Sequence, residues 1–424
     1  MSSPTNPDRP LNKQNKGVWD ASEAYSETQE GYYRMNGPTQ GVAFGINPAG
    51  QLGLNNRTNY SSPVMIHGGD NDWESIQNVG GSCRGVKRDG SMWTWGSNNY
   101  GELGLNEKGN YVSSPTQLYG GGNWMPIMDT CRLHTAYNTY AGFGIKQGFG
   151  AESPWNNRKL FVWGTNYYGK MGQGESPQSK KGYSSPVQIP GYWYKASGGG
   201  TGGPFCAINK LGELFTWGDQ SIGGLGQNET WSPSKRGKSS PSQVEGGGTW
   251  KDVDSGGSFG CALKADGTTW GWGANGNGAL GNNDTIHRSS PTQMPGSNWK
   301  KIAVGTGSLV ARINEDNELW VQGGGNPGFL MQNDNVSRSS PIQIPGSWQD
   351  MYTASSENAY ALKTDGSLWC VGRNAYGSMG PNAEVQPESY TYSSPIQIPG
   401  NWKECGPAGH SFIGIKWGNA NDPA

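Results

Sequence analysis

The sequence predicts an all-β fold, a seven-bladed β-propeller, from a recurring unit and an unusual composition. The unit is clearest in residues 252–299, and its parts recur in one order along the 424 residues. Each copy ends in Ser-Ser-Pro followed by a tryptophan, and there are seven such endings, at Pro63, Pro115, Pro186, Pro241, Pro291, Pro341 and Pro395. The 70 glycines, 26 prolines and 19 tryptophans indicate short strands, tight turns and little helix. Seven strand-rich repeats favour a closed ring of blades.

The two ends of the chain each supply part of one unit. Residues 44–55 match the second half of the unit, as in residues 95–106, and residues 408–416 match the first half, as in residues 256–264. We therefore expect one blade to be shared between the N- and C-terminal segments, which closes the ring and leaves no free strand edge. The predicted organisation is an extended arm over residues 1–40, a propeller over residues 41–418 and a tail over residues 419–424.

Inside each unit the glycines and aromatic residues have structural explanations. Asp266-Gly267 between two apolar strands predicts a hairpin. Trp270 and Trp272 lie two residues apart and so share one face of a strand, where we expect core packing rather than a platform for bases. The glycine-rich residues 273–281 precede no helix pattern, so we interpret them as a turn and blade contact rather than a dinucleotide loop.

Two copies of the unit depart from the pattern. One inserts residues 147–159 between its hairpin strands, and we expect this loop to project from one rim. Another, at residues 321–327, loses the second aromatic residue. Because insertions and loops commonly carry binding residues, these differences are candidate contact points.

The charge balance and the lack of long apolar runs limit the classes of partner. A formal net charge of −1 removes the electrostatic case for general nucleic-acid or acidic-membrane binding. No apolar run approaches the roughly 20 residues of a membrane span, and residues 1–17 lack the apolar core of a signal peptide. We expect a soluble protein that is not secreted by that route, with no nucleic-acid partner and no membrane insertion.

The sequence predicts no catalytic residue, cofactor or metal. None of the four histidines forms a metal-ligand spacing or lies in a known zinc motif. The six cysteines occur without a Cys-x-x-Cys pair, and we expect them to be buried, reduced strand residues. No nucleophile elbow occurs in a strand-to-helix context, and carboxylates such as Asp266 belong to turns. We therefore expect the protein not to be an enzyme.

The residue before Ser-Ser-Pro differs between copies and provides candidate partner-binding positions. Three consecutive copies carry Lys238, Arg288 and Arg338, whereas three others carry Tyr60, Tyr183 and Tyr392. One interpretation is a partner-binding rim with a basic and an aromatic arc. The other, which we favour, is a set of solvated edge positions where charge discourages strand pairing. Further candidates are Trp19 in the arm and Trp155 in the insertion, and Trp155 and Trp231 suit a glycan.

The order of strand, Asp-Gly turn, Trp-x-Trp-Gly, Asn-x-x-Gly-x-Leu-Gly, Ser-Ser-Pro and Trp resembles the regulator of chromosome condensation repeat. The resemblance covers about residues 41–418 and implies a seven-bladed propeller of four-stranded blades closed by a shared blade. It implies no single function. The family includes nucleotide exchange factors for small GTPases, chromatin binders, ubiquitin-ligase modules, secreted β-lactamase inhibitors and virion proteins of marine bacteriophages. No exchange-factor or inhibitor motif of the family matches residues of this chain.

Three hypotheses of function follow from the sequence. The first is a non-enzymatic structural or protein-interaction propeller, a bacteriophage virion component of the tail, baseplate or capsid. It would dock into a larger assembly through residues 1–40 and rim loops, and would be assembled in the host cytoplasm. The second is a cytoplasmic or nuclear regulatory propeller, such as an exchange factor for a small GTPase. The third is a glycan-binding propeller.

Overall fold

The computed structural model describes residues 38–67, 72–133, 140–148, 157–176, 182–198, 203–229, 237–306, 308–354, 358–374, 377–380 and 391–418. Residues Thr39–Trp417 form one compact unit. Over the described ranges this unit holds 28 β-strands in seven sheets, one four-residue α-helix and two short 3-10 turns. The predicted all-β, seven-bladed propeller is confirmed. The first strand begins at Thr39, and the rest of the predicted arm and the predicted tail lie outside the described residues.

Five blades contain four antiparallel strands in chain order from the inner to the outer strand. Their inner strands each begin with the repeated tryptophan, and those of blades 3 to 6 contact one another in succession, which places them around the axis. Blade 1 comprises β3 (Trp73–Val79), β4 (Ser82–Lys87), β5 (Met92–Gly96) and β6 (Val112–Gln117). Blade 3 comprises β11 (Trp193–Gly198), β12 (Pro204–Asn209), β13 (Leu214–Asp219) and β14 (Gly237–Gln243).

Blades 4, 5 and 6 repeat this order of strands. Blade 4 comprises β15 (Trp250–Ser255), β16 (Phe259–Lys264), β17 (Thr269–Gly273) and β18 (Arg288–Gln293). Blade 5 comprises β19 (Trp299–Val304), β20 (Leu309–Asn314), β21 (Leu319–Gly323) and β22 (Arg338–Ile344). Blade 6 comprises β23 (Trp348–Ala354), β24 (Asn358–Lys363), β25 (Leu368–Arg373) and β26 (Thr391–Ile398).

Blade 7 is built from both ends of the chain, as the sequence predicts. Its inner strands are β27 (Trp402–Cys405) and β28 (Ser411–Trp417), and its outer strands are β1 (Thr39–Gly45) and β2 (Tyr60–Met65). β1 and β28 pair without interruption, from Thr39 opposite Trp417 to Gly45 opposite Ser411. The rings of Phe44 and Phe412 stack across this junction at 4.3 Å. The ring is therefore closed by hydrogen bonds and by aromatic packing.

Blade 2 departs from the pattern because its inner strand is interrupted. Its sheet has three strands, β8 (Ala141–Gln147), β9 (Arg158–Gly164) and β10 (Tyr183–Ile189). The inner segment starts with Trp124 bridged to Lys146 and is then broken at Pro126, which has no N–H to donate. It continues as helix α1 (Ile127–Thr130) and as β7 (Cys131–Leu133), which pairs parallel to β11 of blade 3.

Neighbouring blades are joined by a contact that explains the Ser-Ser-Pro repeat. Gly101 of blade 1 has φ of +84°, and a Cβ there would be 2.8 Å from the Cα of Ser184 in blade 2. The Asn106 N–H donates to the Ser184 carbonyl at 2.7 Å, and the Ser185 hydroxyl donates to the Asn106 side chain at 3.0 Å. The same close approach recurs at all seven junctions, ending with Gly377 against Ser61. The prediction that the glycine-rich loop is a turn and a blade contact is confirmed.

The second aromatic residue of each Trp-x-Trp pair is core. Trp95, Trp163, Trp217 and Trp272 are fully buried, and each indole N–H donates to a backbone carbonyl of the preceding blade at 2.8–3.0 Å. In blade 5 the corresponding residue is Gln322, which keeps this bond by donating to the Ala279 carbonyl at 3.0 Å. Blade 5 therefore retains the polar contact between blades although it lacks the aromatic residue.

The strand order defines two faces, to which we give names. The loop face carries the connections from the first to the second strand and the Gly-x-Asn loops that lead to the outer strand. The hairpin face carries the Asp-Gly hairpins and the connections to the next inner tryptophan. Gly267 of such a hairpin has φ of +79°, which glycine adopts without strain. No helix in the described part of the chain is long and apolar enough to cross a membrane.

Candidate interaction surfaces

The residue before Ser-Ser-Pro takes one structural position in every blade. In each case it pairs across the sheet with the glycine that follows the third strand's aromatic segment. The pairs are Gly45–Tyr60, Gly96–Val112, Gly164–Tyr183, Gly218–Lys238, Gly273–Arg288, Gly323–Arg338 and Gly372–Tyr392. These residues therefore lie at one height on the loop face, as the sequence interpretation assumes. Whether they bind a partner stays a prediction.

The three rim cations, Lys238, Arg288 and Arg338, are each paired with an acid of their own blade. Lys238 lies 3.3 Å from Glu229, and the two arginines lie 2.7 and 2.6 Å from Asp284 and Asp334. The N–H of Ile286 and then Arg288 lower the pKa of Asp284 below its usual value. Each positive charge therefore has a negative partner beside it, and the arc is not a bare basic surface.

The rim tyrosines lie in blades 7, 2 and 6, away from the rim cations. Tyr183 donates its hydroxyl to Glu175 at 2.8 Å, and burial together with Glu175 raises the pKa of Tyr183 to about 12. Tyr60 accepts a hydrogen bond from Asn56 at 3.3 Å, and Tyr392 is half-buried against the core. The three rim tyrosines therefore make contacts within the protein itself. The other candidates, Trp19, Trp155 and Trp231, lie outside the described residues.

A different group of aromatic side chains forms a surface on the loop face of blades 1 and 2. We name Tyr100, Tyr111, Tyr140 and Tyr167 the tyrosine patch. The rings of Tyr100 and Tyr140 lie 4.2 Å apart, and the Arg57 guanidinium lies 4.9 Å from the Tyr111 ring. Burial, followed by Tyr100, Glu102, Tyr167 and Tyr111, raises the pKa of Tyr140. Tyr100 and Tyr111 remain 42% and 41% exposed.

The composition around the tyrosine patch suits recognition of a protein. The loop from Gly96 to Val112 is rich in glycine, asparagine, serine and tyrosine, and the loop from Gly164 to Tyr183 is similar. Tyrosine supplies a large, rigid, amphipathic contact at low entropic cost, while serine and asparagine supply adaptable hydrogen bonds. Tyrosine and arginine are also enriched among residues that dominate binding energies.

The tyrosine patch was not predicted from the sequence because the copies were not compared at the position of Tyr100. Tyr100 stands where other copies carry Ala49 or Asn277, inside the glycine-rich loop, and this difference is visible in the sequence. Tyr140 joins the patch only through the fold, because it precedes β8 in the irregular blade. A comparison of every loop position would have found Tyr100, Tyr111 and Tyr167, but not the contact of Tyr140 with Tyr100.

The propeller axis is spanned by the irregular segment of blade 2. The Met128 N–H donates to Ser75 of blade 1 at 3.1 Å. Arg132 donates to both carboxylate oxygens of Asp350 in blade 6, at 3.1 and 3.0 Å, and Lys301 of blade 5 reaches the same carboxylate at 2.9 Å. Burial alone would raise the pKa of Asp350, but Arg132 and Lys301 hold it at about 2.

The ion cluster of Arg132, Asp350 and Lys301 ties blades 2, 6 and 5 together. Arg132 also donates to the Ile302 carbonyl at 3.2 Å, so its guanidinium is held on both sides. A perturbed pKa can mark either catalysis or a structural ion network. Because each charged group here has a partner of opposite charge, the cluster is explained by structure.

The described residues show no cluster of three or more His, Cys, Asp or Glu side chains that could hold a metal. His287 accepts a hydrogen bond from the Asn275 N–H at 2.8 Å, which gives it a place in its loop, and His134 lies outside the described ranges. All six cysteines are buried and unpaired. Burial raises the pKa of Cys131 to about 11 and of Cys261 to about 12, which keeps these thiols protonated.

Comparisons with known proteins agree with this architecture. A sequence model of the regulator of chromosome condensation (RCC1) repeat matches residues 89–128, 212–263 and 266–311. The chain is 28% identical over 221 residues to the mitochondrial RCC1 domain-containing protein RUG3 of Arabidopsis thaliana, covering 49% of this chain and 44% of that protein. It is 24% identical over 264 residues to the ultraviolet-B receptor UVR8 of the same plant, covering 60% and 53%. The chain thus spans about half the length of the curated relatives it matches.

Two solved structures have the same fold. Human WBSCR16 superposes with a TM-score of 0.71 at 17% identity, covering 89% of this chain and 99% of that chain. Yeast RCC1 (Prp20), in a crystal structure bound to Kap60, gives a TM-score of 0.71 at 17% identity, covering 93% and 92%. At these identities the likeness concerns the fold alone. The protein is a seven-bladed β-propeller, and three segments of it match the regulator of chromosome condensation repeat.

Proposed function

We propose that the protein is a non-catalytic interaction propeller that binds a protein partner through the tyrosine patch on its loop face. The observation that carries the proposal is the pair of exposed rings Tyr100 and Tyr111, with the half-buried Tyr140 ring against Tyr100 and the Arg57 guanidinium against Tyr111. Aromatic and arginine side chains in such a cluster supply anchors, and the surrounding Asn, Ser and Gly supply a polar rim. The blades provide a rigid support, because every junction is fixed by the Ser-Ser-Pro contact.

The test replaces two exposed rings without touching the core. Affinity enrichment with the full chain identifies the partner, and isothermal titration calorimetry with the purified partner then gives dissociation constants. We expect the double change Tyr100→Ser and Tyr111→Ser to weaken binding by at least about tenfold, since interface aromatic anchors contribute on the order of 1–2 kcal/mol each.

Tyr119 is the matched control. It is 78% exposed, more than either ring of the double variant, but it lies in a connection on the hairpin face. Tyr119→Ser should bind with the wild-type dissociation constant, and all variants should melt at the wild-type temperature. Undiminished binding by the Tyr100/Tyr111 variant, or an equal loss on Tyr119→Ser, would reject the proposed surface.

The finer hypothesis, a bacteriophage virion component docked through residues 1–40, stays a prediction. It is supported by the low charge, by the Gly-, Asn- and Trp-rich composition and by the polar residues 1–40, which lie almost wholly outside the described residues. Cross-linking and mass spectrometry of purified particles from the source tests it. Cross-links from residues 1–40 to another virion protein are expected, and absence of the chain from every particle would contradict it.

The exchange-factor alternative likewise stays a prediction. The family resemblance supports it, but no exchange motif has been matched to residues of this chain. A fluorescent-nucleotide release assay over a panel of small GTPases tests it directly. Faster release in the presence of the protein would establish the alternative, and unchanged rates across the panel would dismiss it.

A further inference from the structure

A lysine held against tryptophan recurs on the hairpin face. In five blades the second strand has a lysine as its last or penultimate residue, and the lysine ammonium lies 4.6–5.4 Å from the ring of the inner tryptophan. The pairs are Lys87–Trp73, Lys146–Trp124, Lys264–Trp250, Lys363–Trp348 and Lys416–Trp402. In three of these blades a second ring, from the third strand, lies at 4.2–4.8 Å from the same ammonium. Attraction between the cation and the ring faces holds the lysine in place.

In two of the five blades the lysine also donates a hydrogen bond to a carbonyl in the connection that leads to the tryptophan. The ammonium of Lys264 donates to the Gly246 carbonyl at 3.1 Å. The ammonium of Lys146 donates to the equivalent carbonyl of Gly120. The repeated site thus has an inner tryptophan and a lysine in five blades, a second aromatic ring against the lysine in three of them, and a glycine carbonyl acceptor in two.

Blade 5 replaces the lysine but still supplies a cation. The residue at the lysine position is Asn314, whose side-chain amide donates to Glu318 at 2.7 Å and not toward the Trp299 ring. Arg312, two residues earlier, places its guanidinium 4.4 Å from the centre of the Trp299 ring instead. The electrostatic contact to the tryptophan is therefore preserved by a different residue.

Blade 3 replaces the lysine and supplies no substitute. The position is Asn209, whose side chain donates to Glu213 at 2.6 Å, and Ala207 stands where blade 5 has Arg312. The rings of Trp193 and Phe215 remain, 5.4 Å apart and nearly perpendicular. Within the described ranges no cation lies over either ring; the nearby Lys210 lies 4.8 Å from the Tyr192 ring.

The space that the lysine would fill is open in blade 3. A cavity of about 530 Å³ lies there, lined by Trp193, Phe215, Asn209 and Gly191, with Ile189 and Pro241 at its sides. Gly191 is the counterpart of Gly120 and Gly246, whose carbonyls accept the lysine ammonium elsewhere. Both rings and the acceptor of the repeated site are thus present without its cation.

We propose that this cavity binds a lysine side chain of a partner polypeptide, which takes the place that the protein's own lysines take in five other blades. The methylene chain would pack on Pro241, and the ammonium would lie against Trp193 and Phe215. The positive charge of Lys210 would repel the bound ammonium. Because Lys210 is exposed and lies over the Tyr192 ring, solvent screens this charge. The site lies on the hairpin face and is independent of the tyrosine patch.

Saturation-transfer NMR of the full-length protein with N-acetyl-lysine methylamide tests the proposal. The uncharged probe is N-acetyl-norleucine methylamide, which has the same methylene chain without the ammonium. We expect the lysine probe to bind about tenfold more tightly than the norleucine probe, which is the preference that one or two partly desolvated cation–ring contacts give. Equal affinity of the two probes would overturn the proposal by showing a merely apolar cavity.

Three variants locate the binding. Asn209→Lys restores the repeat lysine, should fold normally because five blades carry it, and should abolish probe binding. Asn314→Lys makes the same change in blade 5 and should leave binding intact. Lys210→Gln should tighten lysine binding by removing a like charge. Binding that survives Asn209→Lys, or that weakens on Lys210→Gln as an anionic occupant would, contradicts the assignment.

Discussion

Replacing Asp350 by Asn should remove the pH dependence that the axial ion cluster gives to the stability of the protein. The Asp350 side chain is 8% exposed and lies between Arg132 and Lys301 at 3.0 and 2.9 Å. Its pKa is lowered from 3.8 to about 2 in the folded protein, against the opposing effect of burial. Such a carboxyl stabilises the folded state by about 2.5 kcal/mol at pH 7. Removing its charge also leaves Arg132 without its buried partner, so the total cost at pH 7 should reach about 3–5 kcal/mol.

The sign of the pH effect follows from the lowered pKa. The stabilisation is fully present well above pH 4 and is lost as the pH falls toward the folded-state pKa of about 2. At pH 3 the wild type should have lost about 1 kcal/mol of the stabilisation by the Asp350 carboxylate, whereas the variant has no such carboxylate and loses nothing from this source. Urea unfolding of both proteins at pH 7, 4 and 3 measures the gap between their free energies of unfolding, which should narrow as the pH falls.

Asp316→Asn provides the control for this measurement. Asp316 is an exposed hairpin carboxylate, so its replacement should change the free energy of unfolding by less than about 0.5 kcal/mol. The account of the axis fails if Asp350→Asn costs as little as Asp316→Asn, or if its gap from the wild type stays constant from pH 7 to pH 3.

Three further predictions concern blade contacts, pH and the rim. Gly101→Ala should cost at least about 2 kcal/mol in urea unfolding, because its Cβ would lie 2.8 Å from the Ser184 Cα, whereas Gly109→Ala, also at positive φ but with nothing within 4 Å, should cost only about 1 kcal/mol. Burial raises the pKa of Glu404 to about 7, so the contribution of this group to the stability of the wild type is lost as the pH rises from 4.5 through 7. Between pH 5 and pH 8 the free energy of unfolding of Glu404→Gln should therefore rise by up to about 3 kcal/mol relative to that of the wild type. Changing all three rim cations to Ser should leave partner affinity in calorimetry unchanged and reduce stability by less than about 1 kcal/mol per pair, since each pair is half-exposed; a loss of affinity would restore the binding-rim interpretation.

The fold could be predicted because each repeat contains the same structural sequence features. Ser-Ser-Pro, the glycine-rich loop and the Trp-x-Trp pair satisfy one another between neighbouring blades, so seven copies determine seven junctions. The shared blade followed from two half-units at the ends of the chain. The break in blade 2 was not predicted, although Pro126 marks it, because the pairing of β7 with β11 depends on a parallel contact made only in the folded ring.

The candidate sites were less accessible from the sequence. The position before Ser-Ser-Pro was identified as variable, but its cations and tyrosines contact groups of their own blades, such as Asp284 and Glu175. The loss of a lysine at Asn209 is visible in an alignment of the repeats. The inference of a binding site from this loss depends on the distance between lysine and tryptophan in the other blades, which is seen only in the folded protein.

Hydrogen exchange of the protein with and without its purified partner tests the central claim most directly. If the tyrosine patch is the binding surface, amide exchange should slow in residues 97–112 and 140–147 when the partner binds. Exchange in the exposed connection around Tyr119, on the hairpin face, should not change. Unaltered exchange in both loop-face segments of a complex that demonstrably forms would contradict the account.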